Sequence, residues 1–136
     1  MAGSVLVDAG FLVALLSRRD GHHQWAVTVA KRFPPPWRTC EPALSEAFHL
    51  LEGVGTHALS DLLRRSAVEI PFDLAVDLEP VLKLLEKYAD VPASLADASL
   101  IRMCETLADP IVLTTDTDFR VYRRHGRQVV PCVLPG

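Results

Sequence analysis

Four acidic side chains interrupt apolar patterns in this chain, and the first is the plainest. In SVLVDAGFLVALL, residues 4 to 16, Asp8 stands alone among apolar neighbours. A carboxylate is costly to bury unless something pairs with it. SVLV reads as a short buried strand delivering Asp8 at its end, and PIVLTTD as a second strand ending on Asp116, with Asp118 two residues on. In an open parallel sheet, ligands bind beyond the carboxyl ends of the strands, so these acids are expected on one rim. Asp97 shares a helical stripe with Leu100, Ile101 and Cys104, which points it inward or to the edge of the core. The same residue also fits a capping box with Ser94, and the spacing alone leaves both roles open. Glu46 lies beside Leu44, Ala47, Phe48 and Leu51; taken alone, it reads as a solvated helix residue.

Together the acids have a chemistry that none has singly. Carboxylates converging at one end of a sheet repel each other in a low-dielectric site and need a cation. Oxygen-only ligands suit hard ions such as Mg²⁺ or Mn²⁺ rather than zinc. Such an ion can position a phosphate, activate a water and stabilise developing charge. Asp8 is therefore expected to hold a metal.

Other reactive residues offer less. Cys40, Cys104 and Cys132 are odd in number and widely spaced, with no CxxC pair, so neither a disulfide framework nor a zinc site is expected. Small buried positions and a reducing cytoplasm fit them. His22 and His23 follow a turn-like RDG and read as surface residues. His49 lies three residues after Glu46, but a di-iron bundle needs a second ExxH and there is none. Trp25 and Trp37 read as core or interface residues, and Arg18 and Arg19 as favourable charges at a helix end.

The elements that must hold the acids in place follow from the hydrophobic pattern. Helices are expected in GFLVALLSRR, HHQWAVTVAKRF, PALSEAFHLLEG, THALSDLLRRS, LAVDLEPVLKLLEKYAD (disturbed at Pro80), SLADASLIRMCETLAD and DFRVYRRHG. Strands are expected in SVLV, WRTC, VEIPF, PIVLTTD and QVVPCVL. Short apolar strands alternating with helices predict a parallel sheet covered on both faces. The 136 residues, with no linker or repeat, predict one α/β/α sandwich domain over 1–136. The longest apolar run, FLVALL, is too short for a bilayer, and MAGSVLVDAG lacks the basic region of a leader. A cytoplasmic location is expected.

The motifs VLVDAGFLVALL, Ser45-Glu46, LADASL and TTDTDF, in this order, resemble those of the PIN domain family, most closely the bacterial VapC-type toxin ribonucleases. The resemblance covers essentially the whole chain. It implies a five-stranded parallel sheet, commonly a homodimer, and Mg²⁺- or Mn²⁺-dependent endoribonuclease chemistry leaving 5′-phosphate and 3′-hydroxyl ends. Carried over residue by residue, it makes Asp8, Glu46, Asp97 and Asp116 the metal-binding and catalytic acids, with Asp118 as an accessory acid that orients water. Many members carry Ser or Thr two residues after the first aspartate, where this chain has Gly10; Thr114 and Thr115 are candidates to supply a hydroxyl instead. A toxin would also pair with an antitoxin protein.

A net charge of -3 does not suit a nucleic-acid binder that works by bulk electrostatics. The segment RVYRRHGR is locally basic, however, and Arg120, Arg123 and Arg124 are expected to contact RNA phosphates. Its plainer reading is a solvated helix face.

Two phosphoryl-transfer readings fail on the residues. A haloacid-dehalogenase phosphatase wants an aspartate where Gly10 stands, and a receiver domain wants a lysine at a late strand end, which Lys31, Lys83 and Lys87 do not provide. The alternative retained is a catalytically silent PIN-like dimerisation or partner-binding module. A mean hydropathy of +0.20 agrees with an apolar face covered by another chain. The completeness of the acid set favours the enzyme.

Overall fold

The computed structural model describes residues 3–136; the absence of a leader was read partly from Met1 and Ala2, which lie outside the described residues. Five strands form one parallel sheet: β1 (Ser4–Val7), β2 (Trp37–Arg38), β3 (Val68–Glu69), β4 (Pro110–Leu113) and a last strand, Cys132–Val133. The helices are α1 (Ala9–Leu16), α2 (His23–Arg32), α3 (Glu41–Leu50), α4 (Val54–Arg64), α5 (Leu78–Lys87) and α6 (Leu95–Thr106). A two-stranded antiparallel ribbon, β5 (Arg123–Arg124) with β6 (Gln128–Val129), precedes that last strand, β7.

The sheet order is β3-β2-β1-β4-β7. From β1 the chain leaves towards β2 on one side, and it later returns as β4 on the other. Strand order therefore reverses at the β1–β4 boundary, where the connections part and leave a crevice at the carboxyl ends. Ser4 to Val7 pair in register with Pro110 to Leu113, so the residues following both strands emerge side by side.

Alternation along β1 and β4 divides the core. Leu6 and Val112 point into a cluster with Val81, Leu100, Ile101, Phe119 and Tyr122. Val7 and Leu113 point into the opposite one, with Phe11, Leu12, Trp37, Leu44 and Leu59. Two-faced burial makes these strands continuously apolar. Helix α3 serves both layers, with Ala43 in the first cluster and Leu44 and Ala47 in the second.

Three expectations need correction. Pro80 does not disturb a long helix: α5 begins only at Leu78, and Pro80 sits in its first turn, where a missing N–H breaks no helical bond. DFRVYRRHG is not a helix throughout; a 3₁₀ turn at Thr117–Arg120 gives way to β5, and positive φ at His125 and Gly126 turns the ribbon. QVVPCVL is two short strands, β6 and β7, parted at Pro131.

Candidate active site

The acids sit just past the strands rather than in them. Asp8 follows β1 and caps α1: its backbone is extended, and its Oδ1 accepts from Phe11 N at 2.9 Å. Asp116 lies three residues beyond the end of β4 and caps the 3₁₀ turn, where its Oδ1 accepts from Asp118 N at 2.9 Å. Strand, turn and cap form one device in both places. The chain ends a buried strand and immediately needs an oxygen to satisfy the first free N–H of a helix.

Thr114 joins the two. Its buried hydroxyl donates to Asp8 Oδ2 and accepts from Asp116 N at 2.9 Å. One neutral group thus ties the Asp8 carboxylate to the backbone of Asp116.

Asp97 is at the third position of α6, and its capping box with Ser94 is complete. Ser94 Oγ accepts from Asp97 N, and Asp97 Oδ2 accepts from Ser94 N, both at 3.0 Å. The same Oδ2 also accepts from the Tyr122 hydroxyl at 3.0 Å. Two donors on one oxygen orient the carboxylate. Tyr122 is itself buried edge-on against Phe119 and Tyr88, with ring centroids 5.1 and 5.0 Å away. Glu46 projects from the middle of α3 and is exposed.

Asp8, Glu46, Asp97 and Asp116 line a single cleft of about 250 Å³ with Ala9, Gly10, Ser94, Ala96 and Thr115, and no basic side chain shares the lining. Asp118 lies outside the lining, tied through its N–H to Asp116. Among the described residues, no three of the acids already converge to the spacing of a formed metal site.

The electrostatics are those of crowding. Burial pushes Asp8 up to about 6, and the charges of Asp116 and Asp97 add to the rise; the hydrogen bonds from Thr114 and Phe11 pull the other way. Burial also raises Asp116, with the Asp97 and Asp118 charges adding to it, against the bond from Asp118 N. Tyr122 is held well above the ordinary phenol range by burial and by the Asp97 carboxylate it donates to. The hydroxyl therefore stays a donor. The donor set suits a hard divalent cation: four carboxylates, two of them destabilised by burial and by neighbouring carboxylates.

The arginines fare differently. The Arg123 guanidinium donates to the carbonyls of Arg120 and Tyr122 at 2.8 and 2.9 Å, and Arg124 Nη1 donates to Cys104 O at 3.3 Å. Both are engaged with backbone, while Arg120 is exposed. His49 is exposed as well. Sequence reasoning missed Tyr122 altogether. It sits among arginines in RVYRRHGR, and no local pattern links it to Asp97, 25 residues away.

A family model for the PIN domain matches residues 5–124. Among solved structures, the fold is similar to the crystal structure of Mycobacterium tuberculosis VapC20, described as a sarcin-ricin loop cleaving toxin. The TM-score is 0.73 at 23% identity, over 87% of this chain and 94% of that one. At that identity the likeness is one of fold. No curated protein matches the chain.

Two outcomes test this geometry. Asp8 takes up a proton more readily folded than unfolded, since its pKa is about 6 against an ordinary 3.8. The folded state thus binds more protons between those values, and stability falls as pH rises through that window. In EDTA, the melting midpoint should drop between about pH 4 and 6 and stay low above; Asp8→Asn should flatten the curve. Equal pH profiles for both proteins would rule out a strained Asp8. Tyr122→Phe keeps the ring and removes the donor to Asp97. Urea denaturation should read a loss of about 1–3 kcal/mol, whereas no loss would mean that Ser94 alone holds Asp97.

Proposed function

The chain belongs to the PIN domain family, and from that premise we propose that it is a Mg²⁺- or Mn²⁺-dependent endoribonuclease, acting as the toxin of a toxin–antitoxin pair. One observation carries the reading: four carboxylates from four different elements line one cleft at the reversal point of the sheet, with no cationic side chain to balance them. Asp8, Glu46, Asp97 and Asp116 would hold the ion, some through water.

When bound, a divalent ion there supplies a Lewis acid for the phosphate and lowers the pKa of water at the site. The chain's own residues do the rest. Thr114 ties the Asp8 carboxylate to the backbone of Asp116. Tyr122 and Ser94 occupy Asp97 Oδ2, which leaves Oδ1 to the cleft. Exposed Glu46 completes the rim from α3, where it can move to meet a ligand. Asp118, through Asp116, is placed to orient water at the edge. Arg120 is the best supported of the phosphate contacts, because Arg123 and Arg124 are already engaged.

A likeness in fold to a toxin described as cleaving the sarcin-ricin loop supports the RNA substrate; an antitoxin partner and a homodimer belong to the same proposal. Exposed Leu50, Val54, Val76 and Leu78 agree with surfaces that another chain covers. Among the described residues, no helix is long and apolar enough to cross a membrane, which agrees with a cytoplasmic site of action. The silent-module reading is favoured by the lack of a ready-made metal triad among the described residues.

Metal response separates the two readings. Mg²⁺ or Mn²⁺ at a hundred times its dissociation constant should stabilise the wild type by about 2.7 kcal/mol relative to EDTA. Asp8→Asn and Asp97→Asn should abolish that gain. Both variants should also slow EDTA-sensitive RNA cleavage by more than about 100-fold, beyond the usual effect of residues outside the ligand set. A protein that ignores both metals and cleaves no RNA is the silent module.

A further inference from the structure

Gly10 stands in the first turn of α1, in the lining of the acid cleft, and nothing in its backbone calls for glycine. Positive φ belongs to Gly53 and Gly126 instead. Glycine is the poorest helix former after proline, so propensity does not explain it either. The reason lies across the cleft. A β-carbon on Gly10 would collide with the Thr115 hydroxyl, and it would stand 3.4 Å from Asp8 Oδ1 and 3.5 Å from Thr115 Cβ. The Thr115 hydroxyl therefore occupies the place of a side chain at position 10, reached from beyond β4 rather than from α1.

The cleft has few neutral polar side chains. In its lining Ser94 is engaged by Asp97 N, and behind the lining Thr114 is engaged by Asp8 and by the Asp116 backbone. Carboxylates only accept hydrogen bonds, whereas a hydroxyl donates and accepts at once. A cleft lined by four carboxylates needs such a group to fix the orientation of a water or a phosphate oxygen among them.

We propose that Thr115 is a positioning residue of this site: its hydroxyl, lodged in the clearance that Gly10 provides, orients the water or phosphate oxygen held beside Asp8 and Asp116. Gly10 is then a glycine for space, and the two positions form one coupled unit. The inference rests on the reading of the cleft as a divalent-cation site.

Calorimetric titration of the full chain with Mn²⁺ alone, with melting midpoints in EDTA alongside, tests it. Thr115→Ala should weaken Mn²⁺ binding by about tenfold while the EDTA midpoint stays near that of the wild type. Thr115→Ser should bind as the wild type does. Gly10→Ala should drive the hydroxyl aside and weaken binding as Thr115→Ala does. Gly10→Ser/Thr115→Ala returns a hydroxyl from the opposite wall, with the two β-carbons 3.5 Å apart in ordinary contact, and should recover affinity. An unchanged affinity in Thr115→Ala, or a double variant no tighter than Thr115→Ala, overturns the proposal and leaves the cation site standing. A wild type that binds no Mn²⁺, and so matches Asp8→Asn, overturns both.

Discussion

Everything at the carboxyl end of this sheet depends on how Asp8 is kept in a nearly buried place. Its two oxygens take different partners. Oδ1 satisfies the first turn of α1 through Phe11 N, and Oδ2 takes the Thr114 hydroxyl, which in turn accepts from Asp116 N. One carboxylate thus fixes the exit of β1, the start of α1 and the path of the chain beyond β4. Removing its charge would relieve the crowding but leave the capping oxygen in place. The site and the fold draw on the same atoms, so the strain of the cleft is tolerated by a framework that needs those oxygens anyway.

Asp97 shows the same economy. Capping and site membership looked like rivals in the sequence, because a capping box explains Ser94 and Asp97 without any function. They are compatible once the two oxygens are counted separately. Ser94 and Tyr122 both use Oδ2, so the capping bond itself orients the carboxylate. The aromatic packing of Tyr122 against Phe119 and Tyr88 extends that support into the core of the α5–α6 layer.

What was legible in the sequence was what local pattern encodes. A carboxylate inside SVLVDAGFLVALL, or two residues from another in TTDTDF, stands out against apolar periodicity. Alternating strands and helices predict the parallel sheet. The sheet order β3-β2-β1-β4-β7 was not legible, because it depends on which edges meet. Nor was the break-up of DFRVYRRHG, where long-range contacts override a helical pattern: Arg123 N donates to the Tyr88 hydroxyl, and Arg124 to the end of α6. Such contacts join residues tens of positions apart and leave no trace in spacing. The clearance at Gly10 is of the same kind, since a glycine in a first turn signals nothing until the opposite wall is known.

The charge balance of the cleft constrains any substrate it takes. Four carboxylates line it with no cationic side chain, and two nearby arginines spend their guanidiniums on backbone carbonyls. A phosphodiester brought there adds negative charge to a site that already raises Asp8 to about 6. Side chains at the rim cannot offset that at contact distance, because screening leaves distant exposed charges with little effect. Compensation has to arrive inside the cleft, as a cation bound among the carboxylates or as protons on them. Protonation relieves the charge of Asp8 only at and below about pH 6, whereas a divalent ion works at neutral pH and leaves the carboxylates ionised as ligands. The same balance bears on exposed Glu46. It comes from a separate helix and is exposed, whereas hydrogen bonds hold Asp8, Asp97 and Asp116.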